Sequence, residues 1–454
     1  MTSPSKHPPK KAYPRIRKTT GIKNFVKKQI EQRKAILEFL QGSFRIQIIE
    51  PRENSDAILT HYLHNQSDKS AKPYKKEALN YAKLILQDKF PEDSITLKVA
   101  EDALQCDYLE FFNVPFPPVS EPKFTFIDLF AGIGGFRLAM QNLGGKCVFS
   151  SEWDVAAQKT YKANFGEVPF GDITKAETKS YIPSGFDVLC AGFPCQAFSL
   201  AGQRKGFSDD YKGLSRGTLF FDVLEVAQKH KPKVIFCENV KGLTIHDKQR
   251  TFKIIISSLE EIGYTVHFKI LNSKHFGVPQ NRERIYIVAF RNDIDSSRFM
   301  FPEERKETIT LRSIIEENPV STKYYLSTQY LQTLINHRAR HEAKGHGFGY
   351  VIRDLDDVSG AVVCGGMGRE GNLIIDKRLE DFTPVTAIKG KVNREGIRKM
   401  TPREWARLQG FDEAFKLVVS DVHLYKQFGN AVTVSVIRAI GKQIMEVLNE
   451  QKDR

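Results

Sequence analysis

The residues best suited to chemistry in this chain lie where short apolar runs end. The stretch Phe186-Asp187-Val188-Leu189-Cys190-Ala191-Gly192-Phe193-Pro194-Cys195-Gln196 is such a run, closed by glycine and proline with a thiol directly after. Open α/β sheets carry their reactive groups at the carboxyl ends of strands, so Cys195 is placed to meet a substrate. A second run, Val234-Ile235-Phe236-Cys237, leads into Glu238-Asn239-Val240, and Gln280-Asn281-Arg282-Glu283-Arg284 precedes a third. A thiol, a carboxylate and guanidinium groups gathered in one cleft suit nucleophilic attack on an electron-poor ring. The thiolate is the reactive form, and a nearby cation lowers its pKa. Each residue alone also has an ordinary role. A buried cysteine is a small hydrophobe, Glu238 can cap a helix, and Arg282 and Arg284 can form surface ion pairs.

A second constellation points to a cofactor. Phe126-Ile127-Asp128-Leu129-Phe130-Ala131-Gly132-Ile133-Gly134-Gly135-Phe136 reads as a strand, a glycine turn and a helix start. Glycines let the backbone turn sharply and let a ligand lie close against it. The Gly-x-Gly-Gly spacing departs from the Gly-x-Gly-x-x-Gly that seats a pyrophosphate. Glu152, about twenty residues beyond the turn, suits acceptance from ribose hydroxyls. Trp153 offers an aromatic face, and Asp172-Ile173 an acceptor for an exocyclic amine. Together they fit a nucleoside cofactor without a diphosphate, with S-adenosylmethionine the obvious candidate. The same loop taken alone reads equally well as a generic Rossmann turn with a helix-capping acid.

Positioning these groups requires an α/β fold with a mainly parallel sheet, because short apolar runs alternate with helical segments from Lys123 onward. The expected strands are 124–129, 146–150, 186–190, 234–237 and 284–290. Residues 1–20, rich in Pro, Lys and Arg, read as a disordered basic tail. Residues 21–115 read as a mainly helical domain, with Ala78, Tyr81, Leu84 and Ile85 on one helix face and a possible short strand at 44–49. The proline-dense stretch 114–122 is the first boundary, and 123–299 forms the catalytic domain. Residues 300–395, glycine-rich and without a steady period, form a small domain of strands and loops. Residues 396–454 return to the catalytic domain, with Thr401 capping a helix behind Pro402 and an amphipathic helix at 432–449.

Composition limits the function classes. The chain has 454 residues and a net charge of +14, which suits a polyanionic partner. No apolar run approaches the roughly 18 residues of a membrane span, and the N-terminus lacks the apolar stretch of a secretory signal, so a cytoplasmic protein is expected. The six cysteines show no Cys-x-x-Cys spacing, which argues against a zinc site or a disulfide framework.

From Lys123 to its end the chain resembles the bacterial DNA cytosine-5 methyltransferases of restriction–modification systems. The resemblance rests on Phe130-Ala131-Gly132-Ile133-Gly134-Gly135, Gly192-Phe193-Pro194-Cys195-Gln196, Glu238-Asn239-Val240, Gln280-Asn281-Arg282-Glu283-Arg284, Thr401-Pro402-Arg403-Glu404 and Gln427-Phe428-Gly429-Asn430-Ala431-Val432. These motifs occur in the family's order, and residues 1–115 lie outside the resemblance.

The resemblance implies the Rossmann-like fold of S-adenosylmethionine-dependent methyltransferases, a double-stranded DNA substrate with its target cytosine flipped out, and no metal. It gives Cys195 the attack on carbon 6, Glu238 the partnership of ring nitrogen 3, and Arg284 with Arg282 the support of both. It places Phe130, Gly132, Gly134, Gly135, Glu152, Trp153, Asp172, Ile173, Pro194, Asn430 and Ala431 around the cofactor. Gln196, Ser199, Arg204, Lys205 and Arg216 fall on a loop that closes over DNA, and Arg353 and Arg369 in a target recognition domain at 300–395. Arg403 braces the joint between domains. Ala361-Val362 stands where the family often has Thr-Leu, and Ala431 where many relatives have serine. A cognate restriction endonuclease as functional partner and a monomeric state are further expectations. An RNA cytosine methyltransferase and a DNA-binding regulator acting through residues 21–112 are the alternatives. An NAD oxidoreductase fits least, because the glycine spacing is wrong for it.

Overall fold

The buried apolar runs assemble into one six-stranded sheet. In a computed structural model, residues 18–42, 54–66, 69–105, 114–194, 219–307, 309–347, 349–364, 368–385 and 388–451 are described. The basic tail up to residue 17, the expected strand at 44–49, and Cys195 with the loop through Arg216 lie outside them.

In chain order, four helices come first: α1 (Lys18–Leu40), α2 (Ser55–Asn65), α3 (Lys75–Lys89) and α4 (Leu97–Leu104). Then follow β1 (Phe124–Leu129), α5 (Gly135–Gln141), β2 (Gly145–Ser151), α6 (Val155–Phe165), α7 (Ala176–Ser180), β3 (Val188–Ala191), α8 (Leu219–His230), β4 (Val234–Val240), α9 (Arg250–Glu261) and β5 (Tyr264–Asn272). Next are β6 (Gln280–Asn281), β7 (Glu283–Arg291), α10 (Thr328–Glu342), β8 (Ser359–Gly360), β9 (Leu373–Ile375) and β10 (Ile397–Lys399). The chain closes with α11 (Pro402–Leu408), α12 (Asp421–Asn430) and α13 (Val434–Glu450).

The sheet order is β2-β1-β3-β4-β7-β5. The pairs among β2, β1, β3 and β4 are parallel, whereas β7 runs antiparallel to both β4 and β5. Parallel strands covered on both faces must be apolar almost throughout, which is why β2 and β3 are legible as continuous runs. The strand expected at 186–190 begins two residues later, at Val188. The edge strand β5 has no such run. It pairs only with β7 and leaves Thr265, Phe268 and Lys269 exposed, so its sequence lacks a buried signature.

Helices α1–α4 do not stand apart from the sheet. Their buried residues, among them Ile58, Tyr74, Ala78 and Ile85, belong to the same hydrophobic core as Phe149, Phe170 and Leu189. Phe170 stacks on Phe149 with ring centroids 4.9 Å apart and on Tyr181 at 5.1 Å, and the His61 ring of α2 meets it at 4.6 Å. Polar groups reinforce this junction. Glu167 accepts a bond from Arg137 Nη1 at 2.7 Å, with His61 Nε2 at 3.1 Å and His64 Nδ1 at 2.8 Å, all four side chains being buried. Burial opposes the charge, yet Arg137 and His61 hold the Glu167 carboxyl well below the usual range. The proline-rich stretch before β1 is likewise pinned: Phe116 donates its N–H to Asn164 O at 3.1 Å, and its ring packs on Phe165 and Phe415.

Residues 300–395 carry the main departure from a strand-and-loop reading. Helix α10 has 15 residues and is capped by Ser327, whose side chain accepts from Tyr330 N. Only Leu331 and Leu334 of this helix are buried, so the apolar period is too sparse to see. Strands are nevertheless present, as the pairs β9–β10 and β6–β8, and the second ties this region to the chain just before β7. At α11, Thr401 and Glu404 form a reciprocal cap with Pro402 in the first turn. Arg403 donates to Phe415 O at 2.8 Å, bracing the loop before α12. Helix α13 packs on α5 so tightly that a Cβ on Gly441 would lie 2.7 Å from Leu143 Cδ1.

One buried group is electrostatically costly. Asp128, within β1, is fully buried, and neither carboxyl oxygen has a hydrogen-bond partner. Burial pushes its pKa up to about 8, against the pull of Arg137. Its proton therefore favours the folded state fully below its ordinary value of 3.8, and that contribution is lost as pH rises toward about 8. Asp128→Asn should raise the melting temperature relative to the parent protein more at pH 9 than at pH 5, read by differential scanning calorimetry at both values.

Candidate active site

The carboxyl ends of β1, β2, β3 and β4 open into one cleft of ≈ 1410 Å³. Its first wall is the turn after β1. Phe130 (φ 56°), Gly132 (φ 55°) and Gly134 (φ 87°) all take left-handed backbone, which for Phe130 is strained. The strain is held by Glu152 at the end of β2: its Oε2 accepts from Gly132 N at 2.8 Å and its Oε1 from Asp154 N at 2.7 Å. Burial raises the Glu152 pKa, and these backbone donors oppose the rise. Phe130, Gly132, Gly135, Glu152 and the 65% exposed Trp153 line the cleft. Gly134 does not line it. A Cβ there would lie 2.3 Å from Phe165 Cε2, so this glycine serves packing against α6.

The second wall is the segment after α6. Asp172 and Ile173 line the cleft, and Asp172 Oδ1 accepts both the N–H and the hydroxyl of Thr174. The third is the end of α12, where Asn430 and Ala431 face the same space. It is fastened to the first wall by Lys426 Nζ on Asp154 Oδ2 (2.6 Å) and Thr160 Oγ1 on Gln427 Oε1 (3.1 Å). Gly135 fits against Val432 only because it lacks a side chain, a Cβ coming within 2.7 Å of Val432 Cγ2. Two carboxylates around a glycine turn repel a diphosphate. They suit hydroxyl, amino and cationic groups instead, so the donor set fits a nucleoside carrying a positive charge.

The reactive corner lies at the end of β4. In the antiparallel ladder Glu238 is opposite Tyr286 and Val240 opposite Arg284, which sets Glu238 and Arg284 as diagonal neighbours on one face. Arg284 Nε lies 3.2 Å from Glu238 Oε1. Burial raises the pKa of Glu238, with Arg284 and then Arg282 pulling it back. Asn239 Nδ2 donates to Phe193 O at 2.9 Å and so ties the chain leading through Pro194 to the strand that bears Glu238. Pro194 lines the cleft. Cys195, Gln196, Ser199, Arg204, Lys205 and Arg216 lie outside the described residues.

Arg282 differs from Arg284, though both line the cleft. It is buried, with Nη1 on Val362 O (2.7 Å) and Nη2 on Ala431 O (2.9 Å) and Gly429 O (3.3 Å). It therefore locks the backbone on which Asn430 and Ala431 sit, and burial brings its pKa down to about 10. Val362, in the Ala361-Val362 pair, also donates its N–H to Gln280 Oε1 at 2.9 Å. Arg353 and Arg369 stand away from the cleft's lining. Arg353 is held by Gly371 O and Asn372 Oδ1, both at 3.2 Å, and the Arg369 guanidinium lies 5.4 Å from the Tyr425 ring centroid. Sequence reasoning overlooked Asn239 as a tether; the signal available was an amide directly after an acid at a strand's end.

Comparison with known proteins bears on the family and the fold. The profile of C-5 cytosine-specific DNA methylases matches residues 124–446. Type II methyltransferase M.HpaII of Haemophilus parainfluenzae is 61% identical over 344 residues, covering 74% of this chain and 95% of its own length. Type II methyltransferase M.HhaI of Haemophilus parahaemolyticus is 39% identical over 335 residues, covering 71% of this chain and 95% of its own. Among solved structures, the Dnmt2 methyltransferase of S. pombe matches in fold with a TM-score of 0.54 and 20% identity, over 72% of this chain and 99% of its own.

The three carbonyls on Arg282 yield a test. Arg282→Leu leaves buried acceptors without a donor and should destabilise the protein by on the order of 3 kcal/mol, measured by urea denaturation.

Proposed function

The chain belongs to the family of C-5 cytosine-specific DNA methylases, and from that premise we propose how its residues carry the reaction. It is a DNA cytosine-5 methyltransferase of the restriction–modification type: it transfers a methyl group to carbon 5 of a cytosine within a DNA sequence and thereby protects that sequence. The observation that carries the mechanistic reading is the pair of buried Glu238 and part-buried Arg284 beside the tethered Phe193-Pro194 segment.

The methyl donor is S-adenosylmethionine, which supplies an electrophilic methyl group on a sulfonium centre. Glu152 would accept from its ribose hydroxyls, Trp153 would offer a ring face to its amino acid portion or adenine, Asp172 with Ile173 would meet its exocyclic amine, and Phe130, Gly132, Gly135, Pro194, Asn430 and Ala431 would complete the enclosure. The target cytosine is flipped from double-stranded DNA, because its ring carbons are unreachable inside the stack. The Cys195 thiolate adds to carbon 6, and electron density moves onto carbon 5. Glu238, whose pKa burial raises against the pull of Arg284 and Arg282, gives a proton to ring nitrogen 3 as charge develops there. Arg284 holds Glu238, and Arg282 holds the backbone around them. After carbon 5 takes the methyl group from the donor, which would leave as S-adenosylhomocysteine, the carbon 5 proton passes to water, ring nitrogen 3 returns its proton to Glu238, and the bond to Cys195 breaks to restore the thiolate.

Gln196, Ser199, Arg204, Lys205 and Arg216 belong to a DNA-closing loop, and residues 300–395 to a target recognition domain containing Arg353 and Arg369. A cognate restriction endonuclease acts on the same sequence without binding this chain, which works as a cytoplasmic monomer.

Bisulfite sequencing of DNA from cells expressing the chain should reveal protected cytosines in one short sequence context, and none with Cys195→Ala. Complete conversion of the DNA from cells with the parent protein overturns the reading. In vitro, Glu238→Gln should slow the methylation step by roughly 10²- to 10⁴-fold. The parent rate should fall as pH rises through the raised pKa of Glu238. Arg284→Leu removes the first force pulling that pKa down, so the fall should move to higher pH. An unmoved single-turnover pH profile detaches Glu238 from the proton transfer.

A further inference from the structure

The segment 167–173 has two faces. On one it forms a wall of the cleft, through Gly171, Asp172 and Ile173. On the other it is held by α2 and the residue that precedes it. Glu167 meets His61 at 3.1 Å and His64 at 2.8 Å, Val168 N donates to Thr60 Oγ1 at 3.0 Å, and Gly171 N donates to Asn54 Oδ1 at 3.0 Å. From the sheet the segment receives little: a single parallel bridge joins Ser151 to Phe170, with Phe170 N on Ser150 O and Glu152 N on Phe170 O. Among the described residues, no strand of the sheet extends past β2 at this edge. Helix α2 lies outside the stretch matched by the family profile, which starts at residue 124.

We infer that the N-terminal helices of this chain are a positioning layer for the methyl-donor site, with Thr60 and Asn54 fixing the backbone that presents Asp172 and Ile173. Neither side chain lines the cleft; they act through Val168 and Gly171. The physical reason is local. A short segment with one ladder contact has several backbone conformations open to it, and a pocket formed in only a fraction of them binds its ligand more weakly by that fraction. Thr60 and Asn54 give two of its N–H groups fixed acceptors in a part-buried setting, where leaving a donor unpaired is costly. The inference rests on the reading of this cleft wall as part of the donor site.

The experiment uses the full chain and S-adenosylhomocysteine as probe in titration calorimetry, together with steady-state methylation. Thr60→Val keeps the shape and removes the acceptor. It should weaken probe binding about fivefold or more and raise the donor KM in step, with kcat at saturating donor unchanged. Thr60→Ser, which restores the hydroxyl, should recover parental binding. Asn54→Ala provides a second, independent loss at Gly171 with the same expected split. Lys162→Met removes another bond across the same junction, from Lys162 Nζ to Leu40 O, and should leave probe affinity unchanged even if the melting temperature drops. Parental affinity in both Thr60→Val and Asn54→Ala overturns the inference. So does equal weakening in Lys162→Met, which would mean general loosening. Asp172→Ala separates the two readings: if it binds the probe as the parent does, the assignment of this wall to the donor site fails. If it weakens binding while Thr60→Val and Asn54→Ala do not, only the positioning role fails.

Discussion

A carboxyl group that delivers a proton to a ring nitrogen near neutral pH has to be shielded from water, and shielding it requires something to stop it being merely destabilising. Glu238, proposed for that role, is offset by guanidinium charge, from Arg284 first and Arg282 second. Arg284 sits two residues along the antiparallel partner strand, on the same face, 3.2 Å away. Burial pushes the proton on and the arginine pulls it off, which leaves the group responsive to a third partner entering the cleft. The reversal of β7 relative to its parallel neighbours is what supplies that arginine at the right end of β4. An all-parallel sheet would need a loop to bring one.

The rest of the site is organised around keeping separate chain segments in register at that corner. Arg282, two residues before Arg284, binds the carbonyls of Val362, Gly429 and Ala431 and so joins the region after α10 to the end of α12. Asn239, next to Glu238, holds Phe193. Glu152 holds the left-handed turn that includes Phe130. In each case a polar side chain at the end of a strand of the sheet satisfies backbone of a neighbouring segment. The geometry is therefore maintained by buried hydrogen bonds, each of which is costly to leave half made.

What was legible from sequence follows from what burial does to composition. The strands β1 to β4 are enclosed and read as apolar runs. The acid at the end of β4 and the arginines at the start of β7 stand out against those runs; of the two, Arg284 pairs with Glu238 and Arg282 does not. Strand β5 was invisible because an edge strand with an exposed face carries no run. Helix α10 was invisible because only two of its side chains are buried. The separate duties of Arg282 and Arg284 were beyond reach, since they depend on which carbonyls arrive from residues far along the chain. The same holds for Glu167 with His61 and His64, whose partners lie about a hundred residues apart and leave no local pattern.

The proposed reaction runs through a bond between Cys195 and the pyrimidine, with Glu238 neutralising the ring. Duplex DNA carrying 5-fluorocytosine at the target tests both halves, since fluorine cannot leave as the carbon 5 proton does. Incubated with the protein and S-adenosylmethionine, it should form a denaturant-resistant complex that peptide mass spectrometry maps to Cys195, and Glu238→Gln should form it far more slowly. No complex, or one that forms at the parental rate in Glu238→Gln, contradicts the account.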